Sequence, residues 1–383
     1  MTAFENRSSQ KIKVCCFCER WESGGIESFL TNIIQHMDLN AIQVDIIASS
    51  IGESVFTDRL RKNGVRFREL SGSQRKLLQN YRLFCCLLAQ EHYDVVHLNI
   101  FHGLSLYYNV LAKRAGVPVR IAHSHNTGLR RSLTLPAKLL IHKVAQALYT
   151  NAATDLWACS EAAAEFLFSK RELTKKSYQF IPNGIDIARF RFDIKMREMI
   201  RKELGLENKF VVGNVGRLCY QKNQNFLLDV FHEFVKRGVD SILLLVGEGS
   251  DKSELEEKAR RLGIEGRVVF YGAASQLERL YWAMDAYVMP SRFEGLPVTS
   301  IEAQASGLPC LFSSEITTEC VISLKTEFLS IETGPARWAE TLLTMRRTEI
   351  TADPELSNRF EIRSVAETIK RKWLERKREV GTV

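Results

Sequence analysis

Short apolar runs alternate with amphipathic stretches along the first half of the chain. After the first run, apolar residues recur at a helical spacing from Ile26 to Met37. Strands that alternate with helices are typical of a parallel sheet covered by helices. We therefore predict buried strands at 12–18, 42–48, 65–70, 94–99 and 117–125, and a further strand with its helix at 155–167.

The same alternation starts again after a turn in the middle of the chain. Pro182, Asn183 and Gly184 are strong turn formers, and we place the end of a first domain near residue 185. Two domains are expected because 383 residues are too many for one core of ordinary size. The second half predicts strands at 210–215, 241–246, 267–272 and 286–290, and a helix at 225–235.

The segment from Pro290 to Pro309 combines several turn formers with a short helical pattern. Pro297 suits the start of a helix because its φ is fixed and its missing N–H costs nothing there. Gly307 suits the end of the same helix, since glycine is the common residue just past a helix terminus. We therefore predict a helix at 298–306.

Two carboxylates take different places in this segment. Glu294 lies in the loop before the predicted helix, and Glu302 lies on the helix itself. Unpaired N–H groups and the helix dipole both favour a phosphate at a helix start. The donors there would be the N–H groups of Gly295, Leu296, Val298 and Thr299. Spacing alone favours an ordinary strand, loop and helix with acids nearby.

Two other loops carry residue types that suit a diphosphate. Gly24 and Gly25 lie between the first strand and the first helix, where glycines let the backbone approach a ligand closely. Gly216, Arg217 and Lys222 follow the first strand of the second half, and two cations there can neutralise a diphosphate. Taken alone, the glycine pair favours a tight turn with no ligand, and the basic loop favours solvated bases.

Four histidines lie at or near the ends of two neighbouring predicted strands. His97 and His102 accompany the fourth strand, and His123 and His125 close the fifth. Open α/β sheets bind ligands at the carboxyl ends of their strands, although a lone histidine in a strand is usually structural. Alternation puts His123 and His125 on the same face, so the pattern does not decide between them. A metal site is weakly supported, because cysteine or carboxylate partners at ligand spacing are missing.

The distribution of charge is more informative than its total of +8. No acidic residue occurs between Asp94 and Asp155, and this stretch contains a helical pattern with an apolar stripe. The stripe consists of Ala137, Leu140, Ile141, Val144 and Leu148, and the unopposed bases are Lys113, Arg114, Arg120, Arg130, Arg131, Lys138 and Lys143.

We expect this basic, amphipathic stretch to meet an anionic membrane surface. The alternative, at even odds, is that the stripe faces the core and that the bases are simply solvated. Nucleic acid is not expected as a partner, since the chain shows no basic platform interleaved with aromatic residues.

Membrane-spanning and secreted classes are not favoured. The chain has no uncharged apolar run of about 18 residues and no apolar signal core, so we expect a cytoplasmic protein. Its nine cysteines fall mostly in apolar patterns, including the pair Cys85 and Cys86, and their spacing does not form a zinc motif. We predict reduced thiols buried in the core.

The segment FEGLPVTSIEAQASGLP at 293–309 resembles the E-x7-E signature of retaining, nucleotide-sugar-dependent glycosyltransferases of family 4, which have the GT-B fold. Four other elements are similar to that family and occur in the expected order. They are the glycine pair at 24–25, HSHN at 123–126, P-N-G-x-D at 182–186 and G-R-x4-K-N at 216–223. The resemblance covers residues 12–375, and beyond Pro309 it is closer to the branch that acts in bacterial exopolysaccharide and capsule assembly.

The resemblance implies two doubly wound, Rossmann-like α/β domains that face a cleft. The first domain, 1–185, would lie on the acceptor side, and the second, 186–360, would bind the nucleotide-sugar. A basic amphipathic helix within 361–383 would return to the first domain.

The resemblance also implies roles on the sugar side of the site. Glu294 would contact the donor sugar and Glu302 would hold the ribose hydroxyls. His125, in preference to His123, would contact the donor sugar near the acceptor.

On the nucleotide side, Arg217 and Lys222 would hold the leaving diphosphate. The backbone of the glycine loops and of the helix start would assist, through Gly24, Gly25, Gly216, Gly295, Leu296 and Val298. Glu248 and Tyr271 are candidates near the nucleobase, which this family binds largely through backbone atoms.

The implied activity is transfer of a sugar from a nucleotide-sugar, in our expectation a UDP-sugar, to a lipid-linked or saccharide acceptor at the inner face of the plasma membrane. No metal or other cofactor is expected, and the chain contains no D-x-D sequence. A GT-B nucleotide-sugar epimerase is an alternative, but the combined R-x4-K and E-x7-E pattern argues against it. A non-catalytic binding protein would be expected to lack Arg217, Lys222 or Glu294.

Overall fold

The computed structural model describes residues 11–22, 24–52, 54–129, 134–347 and 353–380, without the side chains of 55 and 376–380. It divides into two compact units. The first unit comprises Met1–Gly184 with Ile362–Val383, and the second comprises Ile185–Glu361.

A seven-stranded parallel sheet forms the centre of the first unit. Its strands are β1 (Ile12–Cys18), β2 (Ile42–Ala48), β3 (Arg66–Glu69), β4 (Val95–Ile100), β5 (Val119–Ser124), β6 (Asp155–Ala158) and β7 (Gln179–Phe180). The spatial order is β3-β2-β1-β4-β5-β6-β7. Because the order reverses between β1 and β4, the carboxyl ends of these strands form the crevice where doubly wound sheets bind ligands.

Eight helices accompany this sheet in the part of the chain that is described. They are α1 (Gly25–Gln35), α2 (Val55–Lys62), α3 (Leu77–Glu91), α4 (Tyr107–Arg114), α5 (Leu135–Tyr149), α6 (Glu161–Leu167), α7 (Lys170–Lys176) and the C-terminal α16 (Ile362–Val380). The C-terminal helix belongs to this unit because Ile369 and Trp373 join the same buried cluster as Ile33 of α1. The Lys370 ammonium adds an ion pair with Asp38 at 3.1 Å.

A six-stranded parallel sheet forms the centre of the second unit, in the order β10-β9-β8-β11-β12-β13. Its strands are β8 (Phe210–Val215), β9 (Ser241–Val246), β10 (Val268–Gly272), β11 (Ala286–Met289), β12 (Cys310–Ser313) and β13 (Thr326–Leu329). The order reverses between β8 and β11, which repeats the doubly wound arrangement of the first unit.

The helices of the second unit complete the two layers around this sheet. They are α8 (Ile187–Phe190), α9 (Ile194–Glu203), α10 (Gln224–Val235), α11 (Lys252–Arg261), α12 (Leu277–Ala283), α13 (Val298–Ala305), α14 (Pro335–Thr344) and α15 (Pro354–Asn358).

The predicted fold class, two Rossmann-like α/β domains, is confirmed. Every predicted strand is present, with ends that differ by at most two residues. The sequence patterns missed three short strands, β7, β12 and β13. Each has only two to four residues.

The cysteines follow the prediction only in part. All nine lie in the described residues and none forms a disulfide there. Six are buried, but Cys85 and Cys86 are exposed on α3, so the prediction of a core position is wrong for this pair. The reason is that α3 turns a different face inward, the face that carries Phe84 and Leu88.

Over the described residues, no helix is both long and apolar enough to cross a bilayer.

Candidate active site

Three of the residues predicted to bind the diphosphate, Gly216, Arg217 and Lys222, follow β8 at the crevice of the second unit. Gly216 directly follows this strand and has φ +153°, a conformation that favours glycine. A Cβ atom on Gly216 would lie 3.1 Å from Cε of Lys222, and one on Gly247 would collide with the Gly216 carbonyl oxygen. The two glycines therefore let the loop after β8 fold closely beside the loop after β9.

The loops after β8 and β11 are linked to each other by hydrogen bonds. Asn223 has a left-handed backbone with φ +57°, and its amide donates to the Pro290 carbonyl at 3.1 Å. The same side chain accepts a hydrogen bond from Arg292 Nη2 at 2.9 Å. The Arg292 backbone N–H donates in turn to the Gln221 carbonyl at 2.8 Å. These contacts fix the position of Lys222 relative to Glu294.

Lys222 and Glu294 form an ion pair between the linked loops after β8 and β11. Lys222 Nζ is 2.8 Å from Glu294 Oε1, and the side chains are only 16% and 8% exposed. The Gln221 amide donates to Glu294 Oε2 at 3.3 Å and to the Phe293 carbonyl at 3.0 Å. Glu294 is thus held as an oriented, charged acceptor beside a cation.

The helix that follows begins and ends almost as predicted. Pro297 is the N-cap of α13 rather than its first helical residue, and the Ser300 N–H donates to the Pro297 carbonyl at 3.1 Å. The N–H groups of Val298 and Thr299 precede this first intrahelical bond. Gly307 has φ +72° and ends the helix in the left-handed conformation.

Glu302 lies on the buried face of α13. The Tyr281 hydroxyl donates to Glu302 Oε2 at 2.9 Å, and Glu302 is 9% exposed. Burial raises the pKa of Glu302 to about 7, although the Tyr281 hydrogen bond, Arg189 and Lys222 act in the opposite direction. A carboxylate has two oxygens that can each accept more than one hydrogen bond, so Glu302 can accept hydroxyl donors from a ligand in addition to Tyr281.

The remaining candidates in this unit are exposed. Arg217 and Glu248 lie on the surface of the loops after β8 and β9, and the Leu218 N–H donates to the Glu248 carbonyl at 2.9 Å. Tyr271 is 39% exposed and belongs to the edge strand β10, two strands away from β8. The structure thus brings Glu248 next to the cationic loop but places Tyr271 farther from it.

The glycine pair of the first unit differs from the prediction in one respect. Gly24 is the N-cap of α1, but Gly25 is already the first helical residue. Glu27, which the sequence reasoning missed, is 6% exposed and accepts from the Glu22 N–H at 3.0 Å. A Cβ on Gly24 would lie 2.7 Å from Glu27 Oε2. The Glu27 carboxylate thus lies in the first turn of α1, where the helix dipole favours an acid.

Three of the four histidines form one group at the ends of β4 and β5. His97 Nε2 is 3.2 Å from His123 Nδ1, and the rings of His123 and His125 are 4.0 Å apart. Phe29 of α1 covers His125 with ring centroids 4.9 Å apart. His102 lies outside the group and is 3.5 Å from a carboxylate oxygen of Glu19.

Burial keeps this histidine group uncharged. It lowers the pKa of His97 to about 3 and that of His125 to about 3. His123, which is fully buried, is shifted in the same direction by burial and then by its two histidine neighbours. His125 is the partly exposed member of the pair that the sequence could not separate.

Within the described ranges, no three His, Cys, Asp or Glu side chains come together as a possible metal site.

The predicted membrane-facing stripe lies on α5 and points away from the core. Leu140, Ile141, Val144 and Leu148 are between 50% and 66% exposed. The alternative that the stripe faces the core is wrong, because the small and polar face with Ala145 packs inward instead. The basic residues Arg130 and Arg131 lie outside the described residues.

Comparison with known proteins agrees with this architecture. Residues 23–189 match the family described as Glycosyltransferase Family 4, and residues 196–361 match Glycosyl transferases group 1. The structure of HepE from Anabaena in complex with UDP superposes with a TM-score of 0.77, at 19% identity, over 95% of this chain and 100% of HepE.

Proteins with similar sequences match most of the chain. EpsF of Bacillus subtilis, named as a glycosyltransferase, is 30% identical over 340 residues, which is 88% of each chain. The capsular polysaccharide biosynthesis glycosyltransferase CapH of Staphylococcus aureus is 25% identical over 94% of this chain and 98% of its own. An Escherichia coli galactosyltransferase named for UDP-Gal and GlcNAc-diphosphoundecaprenol is 28% identical over 63% of this chain and 62% of its own. The chain belongs to glycosyltransferase family 4, the group 1 glycosyltransferases.

Proposed function

We propose that this glycosyltransferase moves a sugar from a UDP-sugar to a lipid-linked or saccharide acceptor in exopolysaccharide or capsule biosynthesis. The observation that carries the proposal is the Lys222–Glu294 ion pair, at 2.8 Å, next to the start of α13. A cation, a helix start and an oriented carboxylate together suit a diphosphate that is joined to a sugar. The complexes of HepE with UDP and UDP-glucose, and the donor in the name of the E. coli relative, support a UDP-sugar.

We assign the site residues the roles that the resemblance implies. Lys222, Arg217 and the first N–H groups of α13 stabilise the charge that develops on the departing diphosphate. Glu294 accepts hydrogen bonds from donor-sugar hydroxyls, and Glu302 accepts them from the ribose. His125, as a neutral ring, hydrogen-bonds to the transferred sugar.

We further propose that the transfer retains the anomeric configuration without a protein nucleophile. A retaining glycosidase needs two carboxyl groups about 5 Å apart around the anomeric carbon. Glu302 is bound to Tyr281 and serves the ribose in this proposal, so front-face attack or an ion-pair mechanism remains. A covalent glycosyl-enzyme trapped on Glu294 or Glu302 would contradict this mechanism.

The exposed face of α5 supports a peripheral position at the inner face of the plasma membrane. Its apolar side chains and the exposed Lys138 and Lys143 match an anionic lipid surface. Sedimentation with vesicles tests this, and equal binding to neutral and anionic lipid at low salt would contradict it.

Release of UDP from a panel of UDP-sugars, with undecaprenyl-diphosphate-linked acceptors, tests the activity. We expect acceptor-dependent release that Lys222→Ala and Glu294→Ala abolish, with or without a chelator of divalent metals. Lys236→Ala is the matched control, since it removes a surface ion pair at 2.9 Å in the same unit. Donor binding without acceptor-dependent release would instead indicate a binding protein.

A further inference from the structure

A buried asparagine contacts the ring of His125 from the neighbouring strand. Asn99 lies near the end of β4, opposite His123 in the register with β5, and is completely buried. Its Oδ1 atom is 3.0 Å from His125 Nε2. Its Nδ2 atom donates to the His97 carbonyl at 3.3 Å.

These two contacts determine which ring nitrogen of His125 carries the proton. Because the amide nitrogen of Asn99 is used by the His97 carbonyl, the amide oxygen must face His125. An amide oxygen can only accept, so His125 Nε2 must be the protonated nitrogen. The lone pair of a neutral ring is then on Nδ1, which is available as an acceptor.

We propose that Asn99 is a positioning residue that fixes the tautomer and orientation of His125, so that Nδ1 accepts a hydrogen bond from a hydroxyl group of the transferred sugar or of the acceptor. The proposal rests on the role assigned to His125 above. It goes further by naming the atom that makes the contact and the residue that prepares it.

Among the described residues, Asn99 makes a hydrogen bond to the His125 ring that can distinguish the two tautomers. The rings of Phe29 and His123 lie 4.9 and 4.0 Å from the His125 ring between centroids, tilted by 57° and 37°, and ring contacts of this kind do not fix which nitrogen carries the proton. The titratable groups nearby are His97 and His123. Burial lowers the pKa of both, so both rings are uncharged near neutral pH. Without the Asn99 oxygen, both tautomers and both ring orientations become accessible.

Nitrogen-15 NMR of histidine-labelled full-length protein tests the tautomer directly, with His125→Gln used to assign the signals. We expect the Nε2–H form in the wild type and in Asn99→Asp, which keeps an oxygen acceptor at the same point. Asn99→Leu should give a mixture of tautomers. Asn109→Leu is the matched control, because Asn109 is equally buried on α4 of the same unit and its amide contacts no partner among the described residues.

Steady-state kinetics then connect the tautomer to the reaction. Asn99→Leu should lower kcat about tenfold, the consequence of losing one oriented hydrogen bond. Asn109→Leu should leave kcat unchanged. In a background of His125→Ala, the Asn99→Leu change should cost nothing further, since its effect acts through the ring.

The experiments distinguish a failure of the role of Asn99 from a failure of the role of His125. An Nδ1–H form in the wild type, or additive losses in the double variant, would overturn the role of Asn99. Full activity in His125→Ala would instead overturn the role assigned to His125 in the proposed function, whatever the NMR result.

Discussion

Binding of the donor should be linked to the loss of a proton from Glu302. Burial raises the pKa of this carboxyl to about 7, from the ordinary value of 4.5, so near neutral pH much of it is protonated in the free protein. In its proposed role Glu302 accepts hydrogen bonds from ribose hydroxyls, and because the carboxylate is the stronger acceptor, the bound state should favour it. The charged neighbours Arg189 and Lys222 favour the same form, and Glu278 opposes it.

The size of the effect follows from the pKa. With a midpoint near pH 7, the fraction of protein that carries the carboxylate falls about tenfold between pH 8 and pH 6, and affinity falls with it. Calorimetric titration with UDP-glucose measures this, because its diphosphate diester does not titrate in that range. Buffers with different ionisation enthalpies give the number of protons released, which we expect to approach one at pH 6.

Two variants make the linkage refutable. Glu302→Gln should bind weakly and with no dependence on pH in this range. Tyr281→Phe removes a hydrogen bond that lowers the pKa of Glu302, so the midpoint should move above pH 7. An affinity of the wild type that stays constant from pH 6 to pH 8, or an equal dependence in Glu302→Gln, would refute the reasoning.

Three further results are expected. Burial lowers the pKa of His97 and His125 to about 3, so below pH 6.5 the unfolded chain binds protons that the folded chain does not. Each ring should therefore lower the free energy of unfolding by about 1.4 kcal/mol per pH unit from pH 6.5 downward. Urea unfolding at several pH values, with His97→Asn as comparison, measures this. Leu140→Glu on the exposed face of α5 should abolish sedimentation with anionic vesicles but leave UDP-glucose binding intact. Arg347→Met should lower the free energy of unfolding by about 3 kcal/mol, because the Arg347 guanidinium donates to the carbonyls of Tyr281 and Met284 at 2.9 and 2.8 Å. An unchanged urea midpoint of unfolding would contradict this.

The fold was predictable because its elements depend on local patterns. Buried parallel strands require continuous apolar runs, and their helices require one apolar face, so both leave a periodic signal. The α5 helix shows where this reasoning fails. Its apolar stripe has the spacing of a core-facing helix, yet His142 and Ala145 pack inward and Leu140 is exposed. Periodicity locates an apolar face but does not say what covers it.

The site was predictable only through the resemblance to a family, and only for residues within its motifs. Gln221 and Arg292 hold the two loops of the second unit together, but a polar residue in a loop gives no signal of its partner. Asn99 gives no signal either, because its partner His125 is 26 residues away in sequence, just after the neighbouring strand. Contacts of this kind depend on strand register, which sequence patterns specify only to within a residue or two.

Burial shifts the pKa of both Glu302 and His125, but the two shifts should affect activity in different pH ranges. Desolvation disfavours the charged form of each group, and so it raises the pKa of the acid to about 7 and lowers that of the base to about 3. In the proposed roles, the sugar contact uses a neutral His125, which is available throughout the physiological range. The ribose contact uses a charged Glu302, of which about half is available at pH 7 and progressively less below it. The acid limit of activity therefore belongs to Glu302, and a change at His125 should lower the rate without moving that limit.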